Sequence, residues 1–210
     1  MKEIIIVGAG GFGRELLQWI KDINEAEEKW IIKGFIDDDL SSLDNYDCDY
    51  KVIGRIKDWK PNENEVFACA IANPQTKEKV VNILKARGAE FTQVIHPRAN
   101  IGEFNQIGEG VVIYPNAGLT VNSKVGDYVT LLSSRVGHDV YIGNYSTISS
   151  NCGINGNVQI GQHVFIGSNV VIVPSRKIGN DAFIAAGSVV MSNIKQKIKV
   201  MGNPAKRFSL

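Results

Sequence analysis

The sequence predicts two domains of different architecture: an α/β domain with a parallel sheet over residues 1–95, and a β-helical solenoid over residues 96–210. Three observations lead to this prediction. Strand-like and helix-like segments alternate up to about residue 95, a glycine-rich turn joins the first two of them, and aliphatic residues recur at every sixth position beyond residue 100. A chain of 210 residues is long enough for two small domains with separate cores.

The elements of the first domain follow from apolar runs of two kinds. Short, wholly apolar runs are typical of buried parallel strands, whereas apolar residues at helical spacing indicate a helix packed on the sheet. Asn73-Pro74 precedes the second helix and Gly88 closes it, as is typical of helix boundaries. The predicted elements are strands Lys2–Val7, Ile31–Ile36, Val66–Ala72 and Phe91–Ile95, helices Phe12–Ile23 and Thr76–Arg87, a turn at Val52–Gly54 and a surface loop at Leu40–Lys51.

The second domain is defined by a period of six, which fits neither a helix nor an alternating strand. Each aliphatic residue is predicted to point into a triangular solenoid, with Gly and Asn at corners whose backbone angles strain other residues. The phase slips by one residue between Leu131 and Val136, and the series predicts about five coils. Its members are Ile101, Ile107, Ile113, Leu119, Val125, Leu131, Val136, Ile142, Ile148, Ile154, Ile160, Ile166, Ile172, Ile178, Ile184 and Val190.

Charge and composition argue against several classes of protein. The 23 basic and 22 acidic residues nearly cancel, so we expect no nucleic-acid partner. No apolar run is long enough for a membrane span, and the start of the chain leads into a glycine-rich turn instead of a signal peptide. The three cysteines, Cys48, Cys69 and Cys152, are scattered, which favours reduced thiols in the cytoplasm and no metal site.

The turn Gly8–Gly13 has the spacing G-x-G-x-x-G between a strand and a helix, and acidic residues follow at Asp37–Asp39. In the dinucleotide-binding fingerprint, backbone N–H groups of such a loop hold phosphate and the acidic residue holds ribose. A dinucleotide site needs two mononucleotide-binding halves, and the segment before residue 95 has room for one. This Rossmann-like half favours a nucleotide sugar over NAD, with a purely structural turn as the other alternative. Arg55 is a candidate phosphate contact or an exposed arginine.

Three histidines are the candidates for acid–base chemistry near neutral pH. His96 lies at the domain junction, where we expect a structural role. His163 lies mid-hexad and is predicted to be a solvated corner residue. His138 follows directly after the phase slip, where we expect the solenoid surface to be disturbed, and Asp139 comes next. Because adjacent residues on a strand point to opposite faces, Asp139 reaches the imidazole only if a corner bends the chain.

Five segments together carry a resemblance to a known family: Ile4–Gly11, Gly34–Asp39, Ala70–Pro74, Val136–Asp139 and Gly202–Ala205. The hexads resemble those of the left-handed β-helix acyltransferases. The whole chain is similar to the bacterial sugar acetyltransferases that include sialic acid O-acetyltransferases and N-acetyltransferases of UDP-4-amino sugars. The match spans nearly the full length in the same order.

The resemblance implies roles for residues of the solenoid. It makes His138 the general base, with Asp139 raising its basicity, and acetyl-CoA the co-substrate. The backbone N–H of Gly156, about one coil from His138, is the candidate donor to the oxyanion. The implied coenzyme contacts are Thr147, which stands where the family has a second histidine, and Ser168 and Ala186.

The resemblance also assigns the glycine loop to a nucleotide-linked sugar. Phe12 stands where members of the family often have histidine, so its contact to the sugar or phosphate differs from theirs. With Arg55 added from the residues alone, the predicted substrate site is Gly10, Gly11, Phe12, Gly13, Asp37, Asp38 and Arg55.

The predicted activity is acetyl transfer from acetyl-CoA to a UDP- or GDP-linked amino sugar in bacterial surface-glycan biosynthesis. One alternative is O-acetylation of a sialic acid or another glycan sugar. A second is a non-catalytic solenoid that serves as a binding scaffold, which the presence of His138 disfavours. Because flat solenoid faces pack around a threefold axis, we expect a cytoplasmic homotrimer without a metal or a membrane span.

Overall fold

The computed structural model describes residues 1–209 and divides into two compact units, one ending at Pro97 and the other beginning at Arg98. The first is an α/β unit with a parallel sheet, and the second is a β-helix. The predicted fold class, a Rossmann-like half domain followed by a left-handed parallel β-helix, is confirmed. Within residues 1–209, no helix is both long and apolar enough to cross a membrane.

The first unit is built on a four-stranded parallel sheet. Its elements are β1 (Glu3–Val7), α1 (Gly11–Ala26), β2 (Ile31–Ile36), β3 (Val52–Gly54), a 3-10 helix (Ile56–Asp58), β4 (Glu65–Cys69), α2 (Pro74–Lys85) and β5 (Val94–Ile95). The sheet order is β3-β2-β1-β4, so β1 is central, and Ile4–Val7 are fully buried, as expected of a strand covered on both faces. Since β2 and β4 lie on opposite sides of β1, its carboxyl end is the switch point at which such sheets bind ligands.

Two predictions for this unit were wrong in detail. Val52–Gly54 is the edge strand β3, with Val52 and Gly54 opposite Phe35 and Ile36, and not a turn. A three-residue segment at a sheet edge is too short to show a period, so the sequence pattern missed it. The predicted strand Phe91–Ile95 is mostly irregular: Phe91 forms a single bridge to Phe67, and only β5 remains a strand.

The second unit is a stack of short parallel strands. They are β6 (Asn100–Ile101), β7 (Gln106–Ile107), β8 (Val112–Ile113), β9 (Gly118–Leu119), β10 (Lys124–Val125), β11 (Thr130–Leu131), β12 (Arg135–Val136), β13 (Tyr141–Ile142), β14 (Thr147–Ile148), β15 (Gly153–Ile154), β16 (Gln159–Ile160), β17 (Phe165–Ile166), β18 (Val171–Ile172), β19 (Lys177–Ile178), β20 (Phe183–Ile184), β21 (Val189–Val190), β22 (Lys199–Met201) and β23 (Lys206–Arg207).

These strands form three faces. The first face holds β6, β9, β12, β15, β18 and β21, the second holds β7, β10, β13, β16 and β19, and the third includes β8, β11, β14, β17, β20 and β22. With three strands to a coil, β6 to β21 make just over five coils, as predicted. The second residue of each of these strands is the aliphatic residue of the hexad series, and from β8 onward it is buried. The stacked aliphatic side chains are the core of the unit.

Hydrogen-bond ladders at the corners explain why glycine recurs after the aliphatic residue. The Asn144 side chain accepts a hydrogen bond from the Asp127 N–H at 3.0 Å, and a Cβ on Gly126 would overlap that side chain. Asp127 in turn accepts from the Glu109 N–H at 2.9 Å, with Gly108 beside it. Glycine at these positions leaves room for the ladder that joins one coil to the next.

The phase slip is confined to one corner. Ser133 takes a left-handed conformation with φ of 35°, and its hydroxyl donates to the Pro115 carbonyl at 2.8 Å. The strands on either side keep their register, since Leu131 lies opposite Ile148 and Val136 opposite Ile154. His138 therefore occupies a regular corner, and the expectation of a disturbed surface around it was wrong.

Candidate active site

His138 and Asp139 form the turn between β12 and β13. Asp139 has a φ of 57°. This left-handed conformation bends the chain at the corner, so the Asp139 carboxylate can reach the His138 imidazole. The Nδ1 atom of His138 lies 2.7 Å from Oδ2 of Asp139. The His138 side chain is 57% exposed and the Asp139 side chain 50% exposed. Since a carboxylate only accepts, the neutral imidazole carries its proton on Nδ1 and leaves the Nε2 lone pair free to take a proton.

Gly156 lies one coil beyond His138 on the same corner. The Asn157 N–H donates to the His138 carbonyl at 2.9 Å, which places the two turns one above the other. A Cβ on Gly156 would stand 2.5 Å from Nε2 of His138, so the imidazole covers this glycine. Gly156 thus lies one coil from His138, the separation expected from the sequence; the roles of both residues are taken up below.

The residues that stack on Gly156 offer its backbone N–H no acceptor. At the Asp127 corner, side chains of the next coil accept the equivalent N–H groups, as Asn180 does from the Gln162 N–H at 3.0 Å. At the His138 corner, the next turn begins at Pro174, whose side chain has no acceptor. Across residues 1–209, no group accepts a hydrogen bond from the Gly156 N–H.

The predicted coenzyme residues lie apart from this corner. Ser168 and Ala186 belong to another corner, where the Gly187 N–H donates to the Ser168 carbonyl at 2.8 Å; Ser168 is half-buried and Ala186 exposed. Thr147 lies in β14, opposite Thr130 and Phe165, and is fully buried. Its hydroxyl thus has no exposed surface in this chain through which to meet a ligand.

His163 is a corner residue, with φ of 55°, but it is not solvated as predicted. Its side chain is 16% exposed and stacks on Tyr145, which in turn stacks on Tyr128, with ring centroids 5.5 and 5.1 Å apart. Burial raises the pKa of the Tyr128 phenol, with Glu109 as a second cause. The three rings repeat at coil spacing, a signal that was present in the sequence and not used.

The glycine loop of the first unit leaves open the space that a phosphate needs. A Cβ on Gly10 or Gly11 would meet no atom closer than 4.0 Å, and no side chain caps the start of α1. Gly13 differs, since a Cβ there would overlap the Gly8 carbonyl, so this glycine lets α1 pack closely on the end of β1. Phe12, between them, is half-buried.

The acidic residues after β2 lie beside this loop. The Asp37 carboxylate accepts the Ala9 N–H at 2.8 Å and the Asp39 N–H at 2.9 Å, so both of its oxygens hold backbone. Asp38 accepts the Lys57 N–H through Oδ1 at 3.1 Å, and the Arg55 guanidinium donates to the Asp38 carbonyl. The structure thus groups these residues at the carboxyl ends of the parallel strands, where the Asp37 side chain holds the backbone of the loop in place.

Three further features were missed from the sequence. A cavity of about 310 Å³ opens beside Arg55, Asp58, Trp59 and Lys60. A larger groove of about 460 Å³ crosses the first face of the solenoid and includes Arg98 and Arg135. Burial lowers the pKa of Lys77 to about 7 and raises that of the neighbouring Cys69 thiol to about 11. Arg135 was recognisable as a charge at an outward strand position, whereas the burial of Lys77 depends on tertiary packing.

Comparisons with known proteins agree with this arrangement. Residues 3–84 match the PglD N-terminal domain, and residues 157–192 match the bacterial transferase hexapeptide family (six repeats). The GDP-perosamine N-acetyltransferase of Escherichia coli O157:H7 is 31% identical over 165 residues, which cover 73% of this chain and 70% of that protein. The chain belongs to the hexapeptide-repeat sugar acetyltransferases. It is therefore an acyltransferase.

Solved structures similar to this acetyltransferase span its whole length. WeeI from Acinetobacter baumannii AYE is 30% identical, with a TM-score of 0.88 over 99% of this chain and 100% of that one. PerB from Caulobacter crescentus, solved in complex with CoA and GDP-perosamine, is 21% identical, with a TM-score of 0.89 over 100% of this chain and 98% of that one. At that identity, the second likeness shows the fold alone. No group of three or more metal-ligating side chains occurs within the described part of this acetyltransferase.

Proposed function

We propose that the chain transfers an acetyl group from acetyl-CoA to the amino group of a nucleotide-linked amino sugar. The observation that carries the proposal is the placement of His138 Nε2 over Gly156, with Asp139 bound to the other ring nitrogen. A relative that is 31% identical is a GDP-perosamine N-acetyltransferase, which supports an amine acceptor on a GDP- or UDP-linked sugar.

In the proposed reaction, His138 Nε2 takes a proton from the amine as the amine nitrogen attacks the thioester carbonyl carbon. The Gly156 N–H donates to the carbonyl oxygen as negative charge develops there, which requires a donor with no other partner. Asp139 holds the Nδ1 proton and stabilises the imidazolium that forms. When the carbon–sulfur bond breaks, the imidazolium returns the proton from Nε2 to the departing thiolate, and His138 is neutral again.

The proposal assigns the nucleotide to the carboxyl edge of the first sheet. Open space beside Gly10 and Gly11, at the start of α1, suits a diphosphate held by backbone N–H groups, and the second carboxylate oxygen of Asp38 suits a ribose hydroxyl. The cavity beside Arg55 and Trp59 opens at the end of β3, at the same edge. Asp37 is assigned to holding the loop, because backbone N–H groups already engage both of its oxygens.

The proposal includes a cytoplasmic homotrimer that acts in surface-glycan biosynthesis. Ser168 and Ala186 lie on a different corner from His138, and we assign the coenzyme to a cleft in which one copy supplies His138 and its neighbour supplies Ser168 and Ala186. A closed ring of three copies would form three such clefts. Thr147 is left out of the proposed coenzyme site, since it is fully buried.

Release of the CoA thiol, followed with a thiol reagent, tests the activity. Acetyl-CoA is mixed with the full-length protein and GDP-perosamine, a UDP-linked 4-amino sugar or sialic acid, and the products are analysed by mass. We expect turnover with at least one amino sugar and a product heavier by one acetyl group on nitrogen. Turnover with sialic acid alone would establish O-acetylation, and no thiol release with any acceptor would favour the binding scaffold.

A further inference from the structure

Basic residues are concentrated at one end of the chain. Residues 182–210 contain five basic residues and no Asp or Glu, whereas residues 1–181 carry four more acidic than basic residues. The near-neutral total thus conceals a separation of charge along the sequence. Such asymmetry is typical of chains that meet an anionic surface with one end.

The structure brings the five basic residues to the last coil of the solenoid. Lys195, Lys197 and Lys199 follow one another on this coil, and Lys206 and Arg207 form β23, which pairs antiparallel with β22. All five side chains are exposed. No carboxylate of residues 1–209 pairs with any of them, so their charge is directed at solvent. We call these five residues the basic end.

Apolar side chains are exposed within the same segment. Met201 is 50% exposed and lies opposite Lys206 in the β22–β23 pair, and Met191, just before the last coil, is 55% exposed. Flexible apolar side chains among lysines are the combination found where proteins rest on a lipid bilayer, since the cations meet headgroups and the apolar groups enter the interface.

The position of the basic end suits a planar partner. It lies at one end of the stack: within residues 1–209, the antiparallel strand β23 follows β22 on this face in place of a further coil. In the trimer of the proposed function, cyclic symmetry would turn the same end of all three copies to one side. Fifteen cations would then face a surface together, and attachment would be multivalent.

We propose that the basic end docks the protein on the surface of a membrane that contains anionic lipids. An anionic bilayer is favoured over a coenzyme phosphate for two reasons. The five charges extend from Lys195 over β22 and β23, and exposed Met191 and Met201 belong to the same segment. Docking would hold the acetyltransferase beside the membrane, and it requires no contact with the corner that carries His138.

Flotation of the full-length protein with vesicles tests this proposal. Vesicles of phosphatidylcholine with about 30 mol% phosphatidylglycerol are compared with pure phosphatidylcholine vesicles at low salt. We expect the protein to float with the anionic vesicles only, and to be released by about 0.5 M NaCl. Since one basic residue strengthens binding to an anionic leaflet about fivefold, the variant K195E/K197E/K199E should lose at least about 100-fold in partition.

A matched variant separates local from overall charge. K29E/K51E/K79E changes three exposed lysines of the first unit by the same amount, and it should keep most of the vesicle binding. Equal loss in both variants, binding to pure phosphatidylcholine, or no flotation of the wild type would overturn the proposal. If the wild type does not float and K195E/K197E/K199E has a raised KM for acetyl-CoA, the proposal is also overturned. The basic residues would then be assigned to binding the coenzyme. Flotation is measured without turnover, so it is decided separately from the proposed acetyl transfer.

Discussion

The Nε2 atom of His138 lies 2.5 Å from the point where a Cβ atom of residue 156 would stand. The imidazole thus fills the space that glycine leaves, and Gly156 lies beside the nitrogen that we propose takes the proton. A base and an oxyanion donor on consecutive coils need to be close, because both act on the same reacting centre.

Gly156→Ala is expected to lower turnover by about 10²-fold, because the new methyl group displaces the imidazole from its position. Folding should be little affected, since the methyl group meets only the end of a half-exposed side chain. The matched control is Gly153→Ala, whose Cβ would meet only Val171 at 4.0 Å. Thiol-release assays on both variants check the prediction, and equal activity of the two would contradict it.

His138→Ala is expected to lower turnover by about 10²–10⁴-fold while the protein stays folded, because the ring is exposed and belongs to no core. His163→Ala should instead lower the free energy of unfolding by about 1 kcal/mol, through loss of the stack on Tyr145, and change turnover less than about threefold. Urea unfolding and kinetics on both variants test this contrast. If His163→Ala lost turnover as His138→Ala should, the assignment of the base would be wrong.

Asp139→Asn removes the negative charge of the carboxylate and keeps the backbone conformation of the corner. Asparagine already occupies the equivalent left-handed positions at Asn122 and Asn157, so the backbone should be unchanged. We expect turnover to fall about 10–10²-fold, because an amide stabilises the imidazolium less than a carboxylate does. KM for both substrates should change little. Wild-type turnover in Asp139→Asn would show that the carboxylate is not needed.

Two glycines of the first unit should respond differently to alanine. Gly13→Ala is expected to cost several kcal/mol of stability, because its methyl group would overlap the Gly8 carbonyl of the main chain. Gly10→Ala should leave stability within about 1 kcal/mol, since open space surrounds it, and weaken nucleotide-sugar binding. Thermal melts and titration with the nucleotide sugar separate the two effects. Similar melting temperatures for the two variants would contradict the packing argument.

Lys77 should make stability depend on pH. Burial lowers its pKa to about 7, whereas the unfolded chain has a value near 10.5, so between these values the unfolded state binds an extra proton. The penalty of burying the ammonium is thus complete below pH 7 and fades as the pH rises towards 10.5. Lys77→Met should therefore raise the free energy of unfolding above that of the wild type at both pH values, and by about 2 kcal/mol more at pH 7 than at pH 9. Urea unfolding at both pH values tests it, and an equal difference at both would refute it.

The solenoid was predictable in detail because its signal is local. Each residue of the hexad series is the second residue of a strand, so a pattern read six residues at a time placed every inward side chain. The burial of His163 was not predicted, because its neighbours in space, Tyr145 and Tyr128, are one and two coils away in sequence. Ser133 likewise shows that a slip of phase can be confined to a single corner.

The candidate site was predicted in part. The sequence pairs His138 with Asp139, but only the corner conformation of Asp139 brings the two groups within 2.7 Å. Pro174 stacks on the Gly156 turn, and a sequence pattern relates these two residues only once the length of a coil is known. Asp37 has the sequence spacing of a ribose ligand, yet its oxygens accept hydrogen bonds from the Ala9 and Asp39 N–H groups. These bonds depend on the local backbone conformation, which the sequence spacing does not give.

The strand that leads into His138 is an inner strand of its face, since β12 has two strands on one side and three on the other. In a stack where each coil is bonded mainly to its neighbours, opening begins at the two ends and moves inward coil by coil. Transient fraying of the last coil would then leave His138 and Gly156 in place. Hydrogen exchange should accordingly be slow around Val136 and Ile154 and fast around Lys199, and a chain that has lost its last coil should still hold His138 over Gly156.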